Sequence, residues 1–397
     1  MTVARYDAVV VGSGPNGLVA ANLLLDAGWS VLVLEAQPTP GGAVRSDQEV
    51  APGYVHDTFS SFSPLSAASR TLSSFRLEEH GLRWRHAPAV LGHPMPDGSW
   101  ALLHRDRAVT ADLLDEQHPG DGDAWHALCE QWDRIGGALV GSLMAPFPPL
   151  RSGLATLARL PSVGGMEFVR GLLTPARQLV EQRFGGESAR LLVAGNAGHA
   201  DIPLDAPGSG LMGLLLAMLG QTVGFPVPEG GAGHLTGAMV RRAESLGGVV
   251  QCGRRVTGID VRRGRAAGVR TEDGDHLTAT RAVLADVAAP HLYGRLLDEA
   301  DVPARVTRRM RAFELDPSTV KVDWALDGPV PWAAAPKFAP GTVHVADSFG
   351  DMVESLGQVA AGSVPARPFL LAGQMSTADP TRSPAGTESM WAYTHVP

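Results

Sequence analysis

The chain contains little cysteine and no long apolar run. Its 397 residues include two cysteines, Cys129 and Cys252, which lie far apart and form no CxxC pair. This spacing excludes a disulfide framework, a zinc ribbon and a local redox dithiol, and it favours a reducing compartment, the cytoplasm. The longest apolar stretch, residues 210–225, is too short and too interrupted to span a bilayer. We therefore expect a soluble protein.

Positive charge is also scarce. Acidic residues outnumber Lys and Arg by 41 to 33, the net charge is −8, and no run of basic residues occurs. A nucleic-acid-binding surface needs the opposite balance, so nucleic acid is excluded as a partner. The first residues enter a strand pattern without an apolar h-region, so the sequence predicts no signal peptide. No HExxH, clustered Cys/His or GxSxG pattern occurs, so we predict neither a metal site nor a serine hydrolase.

A β-α-β pattern opens the chain. The β-branched run 8–11 predicts a buried strand, residues 18–27 predict a helix that ends at Gly28, and 30–34 predict a second strand. Residues 12–17 (GSGPNG) connect the first strand to the helix and have the spacing GxGxxG. In this order the elements predict an α/β fold, a Rossmann-like domain with a doubly wound sheet.

Each glycine in the turn has its own physical role. Gly12 allows the tight turn, Gly14 lets the backbone approach a diphosphate, and Gly17 lets the helix pack close to the strand. The helix begins beside Pro15 and Asn16, where free N–H groups and the positive end of the helix dipole favour an anion. The turn is therefore a candidate diphosphate site.

An acid and a second pair of glycines follow the second strand. Glu35, with Ala36 beside it, stands 18 residues after the last glycine of the turn, where a carboxylate can accept both hydroxyls of an adenosine ribose. The acid also argues against a 2′-phosphate on that ribose. Gly41 and Gly42 then provide bare backbone for a longer dinucleotide to pass. A simple NAD domain needs no such second turn, so the doublet favours FAD.

Residues 6–46 (YDAVVVGSGPNGLVAANLLLDAGWSVLVLEAQPTPGGAVRS) resemble the flavoprotein superfamily of phytoene desaturases, carotenoid ketolases and amine oxidases. They look most like its branch of pyridine nucleotide-disulfide oxidoreductase domain-containing protein 2. The resemblance extends over the whole chain and implies an FAD-dependent oxidoreductase. These superfamilies often have Arg directly after the glycine doublet. This chain has Ala43 there, and Arg45 is the candidate to serve the diphosphate instead.

The resemblance also implies a division into two domains. A helix at 235–246 and a meander that starts with a strand at 249–252 and has a hairpin turn at Asp273 and Gly274 predict the second half of the flavin domain. In the family the meander places the backbone of a valine against the adenine, and by position that residue is Val256. The expected FAD-binding domain comprises residues 1–105 and 225–292. An α+β substrate or cap domain is expected to comprise residues 106–224 and 293–397.

The inserted segment predicts the chemistry of the substrate. Residues 106–224 have mostly helical patterns, and the stretches 143–172 and 211–219 are apolar on wide arcs. Such helices fit either a tunnel for a lipophilic or amphipathic substrate or simply the core of the insertion. A peripheral membrane contact is left open.

Lys321 is the catalytic candidate, on the alternating strand 318–326. In amine oxidases a similar lysine approaches flavin N5 through a water, which would make Lys321 a proton relay or water anchor; an exposed or salt-bridged lysine is the alternative. His56 and Asp57 lie in a segment that passes near the flavin ring in the family. Residues 374–386 resemble the desaturase segment that lines the substrate side.

The expected reaction is hydride transfer from an apolar or amphipathic substrate to FAD, with reoxidation by oxygen, a quinone or another acceptor. Two alternatives stay open: a redox-neutral, FAD-dependent isomerase, and a flavin-binding or partner-binding protein without turnover. Family members continue past the position of Pro397 with a third flavin-contacting segment. This suggests a fragment, a non-catalytic remnant, or a second polypeptide that completes the flavin site.

Overall fold

The computed structural model describes residues 5–145 and 148–397. Residues 1–4 lie outside these ranges. They belong to the N-terminal stretch in which the sequence predicts no signal peptide. In chain order the strands are β1 (Arg5–Val11), β2 (Val31–Leu34), β3 (Ser46–Asp47), β4 (His56–Asp57), β5 (Trp84–Arg85), β6 (Ala89–Pro94), β7 (Trp100–Leu103), β8 (Val227–Pro228), β9 (Val249–Gln251), β10 (Val256–Arg262), β11 (Arg265–Thr271), β12 (His276–Ala285), β13 (Ser318–Leu326), β14 (Pro340–Val345), β15 (Leu370–Gln374) and β16 (Glu388–Val396).

The helices lie between these strands, and a long consecutive run of them occupies the chain between β7 and β8. In chain order they are α1 (Pro15–Asp26), α2 (Pro64–Ala68), α3 (Arg70–Ser74), α4 (Arg107–Gln117), α5 (Asp121–Leu143), α6 (Leu150–Arg159), α7 (Met166–Leu173), α8 (Ala176–Arg183), α9 (Glu187–Ala197), α10 (Ser209–Thr222), α11 (Gly233–Ser245), α12 (Ala289–His291), α13 (Ala304–Arg311), α14 (Phe349–Ala360) and α15 (Met375–Ala378). The first helix starts inside the glycine turn, because Pro15 has the fixed φ that suits the first helical position.

The first sheet has the strand order β10-β11-β12-β1-β2-β9. Strands β12, β1, β2 and β9 are parallel, whereas β10, β11 and β12 form an antiparallel meander. β2 is buried at every position, which explains why its sequence is continuously apolar rather than alternating. Helices α1 and α11 pack on one face, and side chains of the meander and of residues 292–297 pack on the other. The sheet is the expected Rossmann-like sheet.

The second sheet has the strand order β13-β16-β15-β14-β6-β7. All neighbours are antiparallel except β14 and β6. A helical layer that includes α4, α5, α8, α9, α10 and α14 covers this sheet and encloses the largest apolar core of the described residues. Trp125 of α5 is completely buried there, and its indole N–H donates to Gln221 Oε1 at 2.9 Å.

The sheets divide the chain earlier than the sequence suggested. Residues up to 105 were expected in the cofactor domain, but β6 and β7 belong to the second sheet, since Leu91 pairs with both Thr342 and Leu103. β9, read as the start of the meander, is instead a parallel neighbour of β2. Both differences have one cause. A short buried strand carries no local signal for the partner that it meets across a long stretch of chain.

The apolar segment around α6 and α7 is largely exposed, and its Phe168 packs with Ile135 and Leu160 in a small separate cluster. The side chains of Leu150, Leu154, Leu157 and Met166 are 60% to 75% exposed. Helix α10, by contrast, is buried along most of its length against the second sheet. Within the described ranges, we find no helix with the length and apolar character needed to cross a membrane.

Candidate functional site

A cleft of about 650 Å³ opens where β1 and β2 end and α1 begins. This is the edge at which parallel α/β sheets bind their ligands. We call it the cofactor cleft. It is lined by Val11, Gly12, Gly14, Pro15, Asn16, Leu34, Glu35, Ala36, Gly42, Ala43, Arg255, Val256, Asp286, Val287, Ala288, His291 and Leu296.

The glycine turn leaves space that side chains would fill. Gly12 has φ +96°, a conformation that favours glycine, and a Cβ there would lie 2.6 Å from the carbonyl oxygen of Asp286. At Gly14 a Cβ would lie 2.6 Å from a carboxylate oxygen of the same aspartate. At Gly17 it would lie 2.6 Å from the Gly12 carbonyl oxygen. Gly17 thus sets the helix against the strand, while Gly12 and Gly14 let Asp286 lie directly against the turn.

The second pair of glycines packs against the first turn. Gly42 has φ +56°, and a Cβ there would lie 3.0 Å from the Gly14 Cα atom, so the two turns are in direct contact where they line the cleft. Gly41 does not line the cleft. Its N–H donates to the Ser13 carbonyl oxygen at 3.0 Å, which fastens the second turn to the first. Two backbone segments without side chains therefore face each other.

Glu35 is buried at the end of β2 with its carboxylate held in place. Oε2 accepts hydrogen bonds from the Ser13 N–H at 2.9 Å and from the Ser13 hydroxyl at 2.6 Å, and Oε1 accepts from the Gln37 N–H at 2.8 Å. A carboxylate has about four acceptor positions. Glu35 therefore retains acceptor capacity toward the cleft, as binding of a ribose hydroxyl requires.

The N-terminus of α1 points into the cleft without a side-chain cap of its own. Gly14 is the N-cap residue, and the first turn contains no acid. Asp286, which follows β12, supplies an acceptor instead: its Oδ2 accepts the Gly17 N–H at 2.9 Å. Sequence reasoning missed Asp286. The available signal was an acid directly after a strand that runs parallel to β1, at the edge where the glycine turn lies.

Arg255 and Val256 reach the cleft from the start of β10. Val256 was predicted there, whereas Arg255 was not. Arg255 brings a guanidinium to the lining and lies 3.7 Å from the Glu272 carboxylate in an exposed ion pair. His291 and Leu296, from the segment after β12, complete the lining and were also missed. Their pattern is an ordinary short helix, so the sequence carried no clear signal for them.

Arg45 lies behind the lining of the cofactor cleft. Its Nε atom is buried and has no hydrogen-bond partner among the described residues. A buried polar atom without a partner is costly, and such an atom beside a glycine doublet is consistent with a ligand that would complete its bonding. Its role toward the diphosphate stays a prediction.

Lys321 is not free. Its ammonium donates to the Asp57 carbonyl oxygen at 3.0 Å and forms an ion pair with Asp323, two positions along β13. The side chain is only 15% exposed and does not line the cofactor cleft. The contacts of Lys321 within the protein are therefore those of a salt-bridged lysine. These contacts do not test its catalytic role.

A buried ion network joins the segment after the glycine doublet to the C-terminal part of the chain. Arg382 donates to Asp57 Oδ2 at 3.1 Å and to Asp379 Oδ2 at 3.2 Å, and all three side chains are fully buried. Asp57 also accepts the Ala232 N–H at 2.8 Å, and Asp379 accepts the Gly230 N–H at 2.7 Å. The segment 374–386, expected on the substrate side, therefore anchors the entry to α11.

A second cavity of about 210 Å³ lies beyond the glycine doublet. We call it the aromatic cavity. Hydrogen bonds connect the segment that enters this cavity to the residues after the glycine doublet. The Thr58 N–H donates to the Arg45 carbonyl oxygen, and the Ser60 N–H donates to the Ala43 carbonyl oxygen. The cavity is lined by Phe59, Ser60, Ser61, Phe62, Pro64, His199, Leu216, Phe225, Thr342, Trp391 and Tyr393. It shares no lining residue with the cofactor cleft.

The cysteines are not arranged for chemistry. Cys129 is buried in the helical core, where burial raises the pKa of its thiol to about 11. Burial also raises the pKa of the Cys252 thiol, and the nearby Glu35 carboxylate raises it further by a smaller amount. Thiols of high pKa are poor nucleophiles at neutral pH. Among residues 5–145 and 148–397, no group of three or more His, Cys, Asp or Glu side chains could hold a metal ion.

Known proteins share this architecture. A family model described as an NAD(P)-binding Rossmann-like domain matches residues 10–86. The mouse (Mus musculus) pyridine nucleotide-disulfide oxidoreductase domain-containing protein 2 is 26% identical, over 98% of this chain and 73% of that protein. The neurosporene-forming phytoene desaturase of Rhodobacter capsulatus is 24% identical, over 98% of this chain and 72% of that protein. A putrescine oxidase mutant has a TM-score of 0.60 at 18% identity, covering 99% of this chain and 76% of that one.

These comparisons confirm the resemblance to pyridine nucleotide-disulfide oxidoreductase domain-containing protein 2 and to phytoene desaturases, and they show a fold similar to that of putrescine oxidase. Homologues of the chain include the mouse protein and the bacterial desaturase. The Rossmann-like α/β fold class is confirmed by the family model and by the structural similarity to putrescine oxidase. The same relatives support FAD as the dinucleotide that suits this fold.

Proposed function

We propose that the protein is an FAD-dependent oxidoreductase that takes a hydride from a lipophilic or amphipathic substrate. The observation that carries the proposal is the pair of bare backbone turns that pack against each other and both line the cofactor cleft. A Cβ on Gly42 would lie 3.0 Å from the Gly14 Cα atom. An NAD domain needs only the first turn, whereas a longer dinucleotide passes both.

The residues present fit FAD. Glu35 would accept the ribose hydroxyls, and the backbone at Gly12, Gly14 and Asn16 would face the diphosphate at the positive end of α1. Val256 would lie against the adenine. When bound, FAD supplies an acceptor for the hydride and a route by which the electrons reach an external acceptor.

Three further residues, Arg45, Asp286 and Lys321, would support the cofactor. The buried Nε of Arg45 would gain a partner when an anion occupies the cleft. One carboxylate oxygen of Asp286 accepts a hydrogen bond from the Gly17 N–H. Its other oxygen would accept a hydrogen bond from a hydroxyl of the dinucleotide. It would not contact the diphosphate, because like charges repel. Lys321, held by Asp57 and Asp323, would keep a third N–H for a water on the substrate side.

The arrangement of the sheets supports a proposed division of labour. We assign the first sheet to the cofactor, and the second sheet with its helical layer to the substrate. The aromatic cavity would hold part of the substrate and exclude water from the reacting carbon. The relation to a phytoene desaturase supports a lipophilic substrate.

Purification with added FAD tests the proposal. We expect a yellow protein whose flavin spectrum is lost on denaturation and reappears in the filtrate. Anaerobic addition of a substrate should bleach the bound flavin, and admission of an acceptor should restore the colour. A protein that takes up no FAD would overturn the proposed cofactor. Bound flavin that no lipophilic or amphipathic compound bleaches would overturn the proposed hydride transfer.

A further inference from the structure

The aromatic cavity has an apolar wall of defined composition. Trp391 and Tyr393 project from β16 with their rings stacked, 5.7 Å apart at 19°. Phe62, from the segment after the glycine doublet, lies 6.1 Å from the Trp391 ring. Leu216 and Phe225 close the side formed by α10 and the loop that follows it. The wall is therefore suited to a flat or branched hydrocarbon body.

Among the described residues, no charged side chain lines this cavity. Its polar lining consists of hydroxyl groups at Ser60, Ser61 and Thr342, the phenol of Tyr393, and one imidazole, that of His199. Burial raises the pKa of the Tyr393 phenol, which therefore stays neutral. A ligand cation would lose its hydration and gain no carboxylate among the lining residues. The cavity accordingly disfavours an ammonium group, although a solved structure of similar fold is an oxidase of a diamine.

His199 is part of a hydrogen-bonded histidine pair. Its Nε2 lies 2.9 Å from Nε2 of His344, which belongs to β14. Burial lowers the pKa of His199 to about 4, with the charge of His395 as a smaller cause. Burial also lowers the pKa of His344 well below its ordinary value, and the neighbouring His199 and His93 add to this. Both imidazoles are neutral at pH 7, so one of them donates and the other accepts.

The surroundings of His344 decide the direction of that hydrogen bond. Its Nδ1 atom is buried without a partner among the described residues. It is packed so closely against α9 that a Cβ on Gly195 would lie 2.3 Å from it. A buried N–H without a partner is rarer than a buried acceptor without one. The proton of His344 therefore belongs on Nε2, which donates to Nε2 of His199.

The proton of His199 is then on Nδ1. The hydrogen bonds found among the described residues give this nitrogen no partner, and its ring lines the aromatic cavity. His199 thus presents a neutral N–H donor in an otherwise aromatic and hydroxyl-bearing enclosure. Because His344 sets the tautomer, it is a positioning residue for this donor.

We propose that the aromatic cavity binds a lipophilic molecule that carries a carbonyl or hydroxyl oxygen, and that the His199 Nδ1–H donates to that oxygen. A pure hydrocarbon would leave the donor without a partner, and an amine would find no carboxylate among the lining residues. The cavity is a binding site in its own right. Its description as the substrate site rests on the proposed function above.

Three compounds of nearly equal shape test this proposal. Benzophenone carries a carbonyl oxygen, and diphenylmethane has a methylene in its place. Diphenylmethylamine, with its amino group on the central carbon (benzhydrylamine), carries an ammonium at neutral pH. Titration calorimetry of the full chain with FAD added should show benzophenone bound roughly two- to tenfold more tightly than diphenylmethane, as one neutral hydrogen bond provides. Diphenylmethylamine should bind more weakly than both. Equal affinity of the first two compounds, or tightest binding of the amine, would overturn the proposal.

Matched variants assign the preference to the histidine. His199→Phe keeps an aromatic ring and should abolish the preference for benzophenone, whereas His199→Gln retains an N–H donor and should keep part of it. His276→Gln, on the exposed meander, should leave the preference unchanged. A preference that survives in His199→Phe would overturn the proposal. Photo-crosslinking locates the site: adducts should map to peptides that contain cavity-lining residues, and adducts elsewhere alone would overturn it.

Two readouts keep the proposal falsifiable if a variant fails to fold. Long-range ¹H–¹⁵N correlation spectra of the unmutated protein should show His344 protonated at Nε2 and His199 at Nδ1. The opposite tautomers would overturn the proposal. Flavin bleaching distinguishes it from the proposed function. If the flavin is never bleached but the benzophenone preference holds, hydride transfer fails and the binding site stands; if the flavin is bleached without that preference, only the present inference fails.

Discussion

Gly42→Ala is the sharpest test of the facing backbone turns in the cofactor cleft. At φ +56° an alanine costs about 1 to 2 kcal/mol in the left-handed region. Its Cβ would also lie 3.0 Å from the Gly14 Cα atom, so that one wall of the cleft has to move by a few tenths of an ångström. The neighbour is backbone at the start of α1 and cannot rotate away.

We expect two separate effects. The free energy of unfolding should fall by about 1 to 2 kcal/mol, because the left-handed conformation is strained with or without a ligand. The displaced turn should in addition weaken one hydrogen bond to the charged diphosphate, which is worth about 1.5 to 3 kcal/mol. This second effect corresponds to a loss of FAD affinity of roughly tenfold to a hundredfold.

Gly28→Ala is the matched control. Gly28 has φ +77° at the other end of α1, and a Cβ there would meet nothing within 4 Å. Urea unfolding measures stability, and titration of apoprotein with FAD, followed by flavin fluorescence, measures affinity. Both variants should lose stability, but only Gly42→Ala should lose affinity. If the two variants bind FAD equally well, the second turn does not contact the cofactor and the reasoning fails.

Three further predictions concern the lysine, the buried ion network and the buried histidines. Lys321→Met should bind FAD normally but slow flavin reduction or reoxidation in stopped-flow measurements; unchanged rates of both would refute a catalytic role. Arg382→Met should lower the free energy of unfolding in urea by about 3 to 5 kcal/mol, since it leaves two buried carboxylates uncompensated, whereas exposed Arg367→Met should change it by less than about 0.5 kcal/mol. Burial lowers the pKa values of His93 and His199 to about 4, so the unfolded chain binds more protons below pH 6.5. The stability should therefore fall by roughly 3 kcal/mol for each histidine as the pH drops from about 6.5 to 4, and a urea midpoint that does not fall over this range would contradict the buried neutral state.

Local pattern was sufficient for the cofactor cleft because its parts are close together in sequence. The glycine turn, Glu35 and the doublet all lie within residues 12–42, and eight of the eleven residues predicted for the cofactor line the cleft. Gly17, Gly41 and Arg45 lie behind it. Short-range spacing determines such a site, since a strand, a tight turn and a helix leave few ways to arrange the residues between them.

Contacts across long stretches of sequence could not be read in this way. Asp286 reaches the glycine turn only because β12 pairs with β1. Arg382 meets Asp57 across more than three hundred residues, and nothing near either residue indicates the other.

The sequence by itself determined the class of fold and the position of the glycine turn, and it favoured FAD over a simpler dinucleotide. Those features depend on periodicity, on the absence of a Cβ at particular glycines and on an acid at a fixed distance. Only the tertiary structure decided that β6 and β7 join the second sheet, that Leu150, Leu154 and Leu157 of α6 face outwards, and that His199 and His344 meet beside an aromatic cavity. Each of these depends on which buried surfaces pack together, and the free energy of that packing is shared among residues far apart in the chain.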